Sequence, residues 1–312
     1  MNRRCAAIGS CLSACVLLGA AIAAQQPRIT NGQLAPQPVT SDLPAAFRSL
    51  VAAQRGVAWI GYAVPVRDGD RTMCCWSHAN GTTYFSGSMR AADAPCCGAC
   101  RLEPAPEAAT PPRSAAPAAP TSPIKLEGVG RMVVLFRVVD RQVERVRSFS
   151  EDCELDAGGR QVHWLDDVRP AESVTLLASL VGGERERKSR ITSPALQALS
   201  MHADPAAATA LERLARSHQE PSARGDALFW LAQMAGDRIA GTITAAIEND
   251  PDTEVKRRAV FALSQLPKDE GVPLLIGVAK KNANPAVRKQ AMFWLGQSKD
   301  PRAIEFFAEI LK

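Results

Sequence analysis

Cysteine is the residue type whose clustering here could do chemistry. Of nine cysteines, six lie beyond residue 24: Cys74, Cys75, Cys96, Cys97, Cys100 and Cys153. An even number of clustered thiols reads first as a disulfide set in an oxidising compartment, with the connectivity open. The alternative is a metal site made by Cys96, Cys97, Cys100 and His78. Its basis is Cys97-Gly-Ala-Cys100, which has the two-residue spacing of a zinc knuckle, with His78 close to Cys74-Cys75. Only one Cys-x-x-Cys is present, and doubled cysteines are untypical of zinc ligands, so disulfides come first. A redox role for that pair would need a βαβ context, which the surrounding sequence lacks.

Other polar groups offer less. His163 lies beside Trp164, Asp166 and Asp167, but a strand would point His163 and Trp164 to opposite faces, and the aspartates are placed to cap a following helix. Ser150 and Ser173 have no Gly-x-Ser-x-Gly or Ser-x-x-Lys around them. No phosphate-binding glycine loop, paired catalytic carboxylates or His-Glu-x-x-His occurs. The four histidines, His78, His163, His202 and His218, form no motif. The expectation is a protein with no catalytic residues and no cofactor.

The elements that must position these residues begin after a targeting segment. Arg3 and Arg4 precede an apolar run to about Ala23, with small residues at Ala21-Ile-Ala23, so residues 1–24 read as a signal peptide. A lipoprotein, lipidated at Cys15 after Leu12-Ser-Ala, is the minor alternative. The expected location is periplasmic or secreted, with no membrane span after cleavage. Losing Arg3 and Arg4 lowers the formal charge from +5 to +3, too mild for a nucleic-acid partner. Residues 25–42 read as a flexible leader. Leu43 to Arg55 is an amphipathic helix behind Asp42, and Val57 to Val64 is a strand. Residues 103–123 are a Pro/Ala-rich insert, in which 14 of 21 residues are one or the other. Met132 to Val138 and Val143 to Phe149 make a hairpin, as do Cys153 to Leu155 and Val162 to Leu165. The spacing predicts a helix over 170–180, then a hinge at Gly182-Gly183. Residues 43–181 are thus expected to be a small α+β domain with an antiparallel sheet and a cysteine-rich loop.

The last third repeats itself. Ala227-Leu-Phe-Trp-Leu-Ala-Gln233, Ala259-Val-Phe-Ala-Leu-Ser-Gln265 and Ala291-Met-Phe-Trp-Leu-Gly-Gln297 each begin 32 residues after the last, and Ala195 to Met201 is a weaker copy. Val255, Ala259 and Leu263, like Val287, Ala291 and Leu295, give an apolar stripe along a first helix. Asp204, Asp237, Asp269 and Asp300 are placed to cap second helices. Phe261 points away from the stripe and is expected to be buried between neighbouring repeats.

Pro285-Ala-Val-Arg-Lys-Gln-Ala291, continuing to Leu295-Gly296, resembles the short bacterial HEAT repeat, also called phycobilin-lyase HEAT-like. The resemblance covers about residues 190–312 and implies an all-α solenoid of about four helix pairs behind the β-rich domain, an α+β multidomain chain. Such solenoids serve as scaffolds, as binding surfaces and occasionally as lyases. The function expected is an exported, non-enzymatic interaction or scaffold module whose partner is another protein. The alternatives are a metal-binding or redox-sensing envelope protein and a HEAT-like lyase. Arg224, Lys256 and Arg288 recur with the period and are expected to bond neighbouring turns through Asp250, Asp252 or Asn284. Arg257, Arg258, Lys280, Lys281 and Lys289 lie outside that regularity and are the candidates for contact with an acidic partner.

Overall fold

A computed structural model describes residues 26–67, 100–103, 130–151, 153–184, 187–234 and 237–311. The signal-peptide expectation, Cys74, Cys75, Cys96, Cys97, His78 and most of the Pro/Ala-rich insert lie outside the described residues.

The N-terminal part is built on a mixed sheet of five strands, not an antiparallel one. They are β2 (Gln33–Pro38), β8 (Gln161–Asp166), β3 (Val57–Pro65), β5 (Arg131–Val139) and β6 (Gln142–Ser150), in that spatial order. The antiparallel half is β3–β5–β6. Its β5–β6 hairpin turns at Asp140 and Arg141, both at positive φ (46° and 67°), as a two-residue primed turn demands. The other half is parallel, because β8 lies between β2 and β3 and runs with both. A second, three-stranded sheet holds β1 (Arg28–Thr30), β7 (Glu154–Asp156) and β4 (Cys100–Arg101), with β7 in the centre and parallel to both neighbours.

Two expectations change here. Residues 28–38 are not a flexible leader: β1 and β2 run beside β7 and β8 and cross with them from the small sheet to the large one. Nor do β7 and β8 form a hairpin. The turn at Ala157–Arg160, with Gly158 and Gly159 at positive φ, carries the chain onward into the other sheet instead of back. The cause is register. Each strand of this pair finds its ladder with a segment about 126 residues away, which local turn chemistry cannot announce.

One face of the large sheet carries Ile60, Tyr62, Val64, Met132, Val134 and Phe136, which α1 (Leu43–Ala53) and α2 (Pro170–Ser179) cover. Phe47 of α1 meets Phe136 edge-on at 4.7 Å. Asp42 caps α1 by accepting from the Ala45 N–H, as the sequence predicts. The aspartates before α2 do not cap it. Arg169 takes that place without a side-chain bond, while Asp167 sits in a left-handed turn. The opposite face packs Trp59, Leu135, Phe149 and Trp164 against Leu102, Leu155 and the buried Cys153.

Behind a π-helical turn (Lys188–Thr192), helices alternate: α3 (Ser193–Met201), α4 (Ala206–Ser217), α5 (Pro221–Ala232), α6 (Asp237–Asn249), α7 (Thr253–Ser264), α8 (Lys268–Lys281), α9 (Pro285–Ser298) and α10 (Pro301–Ile310). The first helices α3, α5, α7 and α9 stack as one layer and the second helices as another. Val255, Ala259, Leu263, Val287, Ala291 and Leu295 are all buried between the layers, where the predicted stripe puts them. Asp300 caps α10, but Asp269 falls inside α8 behind Pro267, so the period carries the helix start without always carrying its cap. No helix among the described residues is long and apolar enough to cross a membrane.

The join at Gly182-Gly183 is fastened, not a hinge. Gly182 donates to Thr192 Oγ1, Gly183 donates to Glu220, and both glycines sit near φ 110°, which side-chain-bearing residues rarely adopt. Val66 bridges to His202, and Ala203 N–H donates to the Pro65 carbonyl. Sheet and helices consequently share one apolar core from Leu43 to Phe306.

Candidate functional site

The repeat spends its regular cations on itself. Arg224 is buried, donates twice to the Asp250 carboxylate at 2.8 and 3.0 Å, and also reaches the His218 and Gln219 carbonyls. Arg288 repeats the motion toward the Asn282 and Ala283 carbonyls, and Lys256 donates to the Glu248 carbonyl at 2.8 Å. The acceptors belong to a turn that is itself periodic. His218, Asp250 and Asn282, each 32 residues on, accept from the N–H two residues later. Burial raises the Asp250 carboxyl pKa, but the bonds from Arg224 and the Asp252 N–H outweigh it and hold it below its ordinary value.

The other side of the first-helix layer carries a row of aromatic rings. Phe229 and Phe261 stack at 5.6 Å with planes 3° apart, and Phe261 meets Trp294 at 4.8 Å. Phe293 leans edge-on against Trp294 at 5.0 Å and is itself 53% exposed. Phe261 is therefore half-buried in this row, not enclosed between repeats as the sequence predicts. The stripe of small and branched residues already occupies the interior, so a ring two positions on, about 200° round the helix, is carried outward.

Between α7 and α9 the row opens into a shallow cleft of about 210 Å³, lined by Glu254, Arg257, Arg258, Phe261, Gln290 and Trp294. Its rim is polar and cross-linked. Arg257 donates to Glu254 at 3.0 Å and to Gln290 on the next first helix at 3.3 and 3.4 Å. Arg258 pairs with Asp226 on the preceding first helix, and Lys188 takes the other oxygen of Asp226 at 2.9 Å. Asp226, Arg258 and Gln290 are 32 residues apart and so hold one place in successive repeats: Gln290 bonds Arg257, and Asp226 holds Arg258. Gly225 makes room for it, since a Cβ there would run into the aliphatic stem of Arg258.

The five partner-contact candidates divide between two layers. Arg257 and Arg258 lie at the cleft, and Lys289 is exposed on α9. Lys280 and Lys281 end α8 in the second layer, where Lys280 pairs with Glu309 at 2.9 Å and lies 5.6 Å over the Phe306 ring. The aromatic half of the site is absent from those candidates: its signal is the phenylalanine recurring at positions 229, 261 and 293, which the sequence directs away from the stripe but, at Phe261, toward burial between repeats.

The remaining candidates for chemistry are occupied structurally. Ser173 is buried and bonds the Tyr62 hydroxyl at 3.0 Å, and burial pushes that hydroxyl's pKa up. His163 is within 3.2 Å of Gln37, and burial lowers its pKa. His202 is fully buried and accepts from the Asp204 N–H through Nδ1, with its pKa lowered by burial to about 4.

Against known proteins, the family model described as HEAT repeats matches residues 241–312. Among solved structures, the complex of CpcE and CpcF of phycocyanin lyase from Nostoc sp. PCC7120 is similar at 19% identity and a TM-score of 0.35, over 45% of this chain and 88% of that one. Human deoxyhypusine hydroxylase in complex with glycerol is similar at 14% identity and a TM-score of 0.27, over 46% of this chain and 74% of that one. Likenesses this slight carry no chemistry to this chain. No curated protein matches. The family match and the alternating helices at a 32-residue period agree, and residues 241–312 are HEAT repeats.

Proposed function

We propose that the chain is an exported, non-enzymatic interaction module that holds a protein partner on the first-helix face of an array of about four stacked helix pairs. The observation that carries this is the aromatic row ending at Phe293, left open to solvent beside a polar, partly basic cleft. An open aromatic patch with a charged rim is the composition of a protein contact, in which rings supply buried area and the rim supplies orientation. HEAT arrays suit the task because stacking extends one such face over several repeats. Arg257 is the rim cation most available to an acidic group, since its bonds to Glu254 and Gln290 are exposed and individually weak. The six cysteines beyond residue 24 fit export as a disulfide set.

The test is capture from an envelope extract by the mature protein and by a double variant, Arg257→Glu with Phe293→Ser. Both positions are exposed, so folding is retained. A partner recovered by the wild type and lost, by about tenfold or more, in the variant supports the reading. Equal recovery of every captured protein contradicts it.

A further inference from the structure

The large hydrophobic side chains left exposed among the described residues are Phe293, Ile304, Ile310 and Leu311, all on α9 and α10 or at their ends. Single exposed apolar residues are ordinary on a protein surface, but a set gathered on one helix pair is not. On α9, Phe293 stands where Phe261 stands one repeat earlier, and Phe261 is half-covered by Trp294 on the next first helix. No helix among the described residues does the same for Phe293. On α10, Ile304, Ala308 and Leu311 follow at i, i+4 and i+7 and so share one side of the helix, turned away from the buried Ala303 and Phe306. Ile304 is 65% exposed and Leu311 84%. Ile310 falls outside this stripe.

Stacked repeats cover each helix pair with the next, so a face of this build fits another pair of helices of the same kind. The exposed charges beside it suit one pairing in particular. Lys289 lies four residues before Phe293, on the same side of α9. Glu305 and Glu309 flank the apolar stripe of α10, and Glu309 also holds Lys280. The two helices are joined through Lys299-Asp300 alone and run in opposite directions, so the Glu309 end of α10 lies level with the Lys289 end of α9. A two-fold axis parallel to the helices lays α9 of one copy over α10 of the other and brings Lys289 toward Glu309. A two-fold axis across the helices sets α9 against α9 instead, lysine toward lysine. In an isologous contact each matched pair counts twice.

We propose that the face made by Phe293, Ile304, Ala308 and Leu311 is where two copies of this chain pair, α9 of each lying over α10 of the other. The proposal rests on the reading of the first-helix row as a contact face and names the occupant of the row's outer end. The match of Lys289 with the acidic flank of α10 favours a second copy, and Glu305 and Glu309 repel an anionic lipid surface.

The experiment is sedimentation velocity of the mature protein at concentrations rising to about 100 μM, which reads any dissociation constant up to that range. The wild type should pass from monomer to dimer. Ile304→Ser with Leu311→Ser, both at exposed positions where folding is retained, should raise the dissociation constant about tenfold or more. Lys289→Glu should raise it about fivefold, and adding Glu309→Lys should recover most of that loss. A wild type that stays monomeric, or a dimer indifferent to Ile304 and Leu311, would overturn the pairing. A loss at Lys289 that Glu309→Lys does not rescue would overturn the placement of α9 over α10. A photoreactive residue at position 293 separates this proposal from the reading beneath it. A monomer that crosslinks a foreign protein from position 293 overturns the second copy alone. No adduct from that position, to itself or to any other protein, overturns the contact face as well.

Discussion

Phe261 and Leu263 are two residues apart on one helix and belong to different environments. Leu263 is buried in the stripe, and Phe261 lies half-open in the aromatic row. Leu263→Ala should cost about 2–5 kcal/mol, as for a core truncation. Phe261→Ala should cost roughly 2 kcal/mol or less, chiefly the two ring contacts and part of the burial. Urea unfolding of both variants checks the order, and a larger loss at Phe261 would place it back in the core. His202 sets a second expectation. Its folded pKa of about 4 lies below the ordinary 6.5, so the folded state prefers the neutral ring. Stability is then fully present above pH 6.5 and is lost as pH falls toward 4, by about 3 kcal/mol in all. Unfolding free energies of wild type and His202→Asn at pH 7 and pH 4.5 test it: the acid loss should shrink in the variant. Equal losses would show that His202 is not the titrating group. At this scale the sequence was a good guide where the period acts. Arg224 does bond Asp250, while Lys256 and Arg288 take backbone carbonyls instead of the expected side chains, and Arg258, expected to be irregular, shares its place in the repeat with Asp226 and Gln290. That place changes residue type at each repeat, which hides it from a search for identity.

Helices were more legible than strands. The second helices α6, α8 and α10 start within a residue of Asp237, Asp269 and Asp300, because a 3.6-residue stripe with an acidic or proline start is a local signal. The sheet was half legible. β3, β5 and β6 announce themselves by branched and aromatic runs and by the Asp140-Arg141 turn. β1 and β2 do not: Arg-Ile-Thr is too short to carry a pattern, Gln-Leu-Ala-Pro-Gln-Pro lacks strand formers, and only the ladder with β7 and β8 makes them strands. Nothing in residues 154–165 says that the turn after β7 leads away to another sheet. The aromatic row falls between these cases. Its members were visible, but their outward direction depends on which residues win the interior.

At the scale of the molecule the shared core changes an expectation. With Cys153 buried in the second core and Cys100 on the neighbouring β4, cross-linking in this region would constrain the unfolded chain by roughly 2–4 kcal/mol per bridge. The repeats contain no cysteine after Cys153, so the sequence alone leaves them indifferent to reductant. The continuous core from Leu43 to Phe306 instead couples the two parts. Reductant should lower a single calorimetric transition, and two separate transitions with only one displaced would contradict the coupling. The interaction face is the central claim, and site-specific photo-crosslinking tests it most directly. A photoreactive residue is placed at Phe293 on the open aromatic row or at Lys281 on the second-helix layer, and the mature protein is irradiated in envelope extract. Adducts to a common partner from position 293, and none from position 281, are the predicted result. Adducts from 281 in equal yield, or none from 293, would contradict the account.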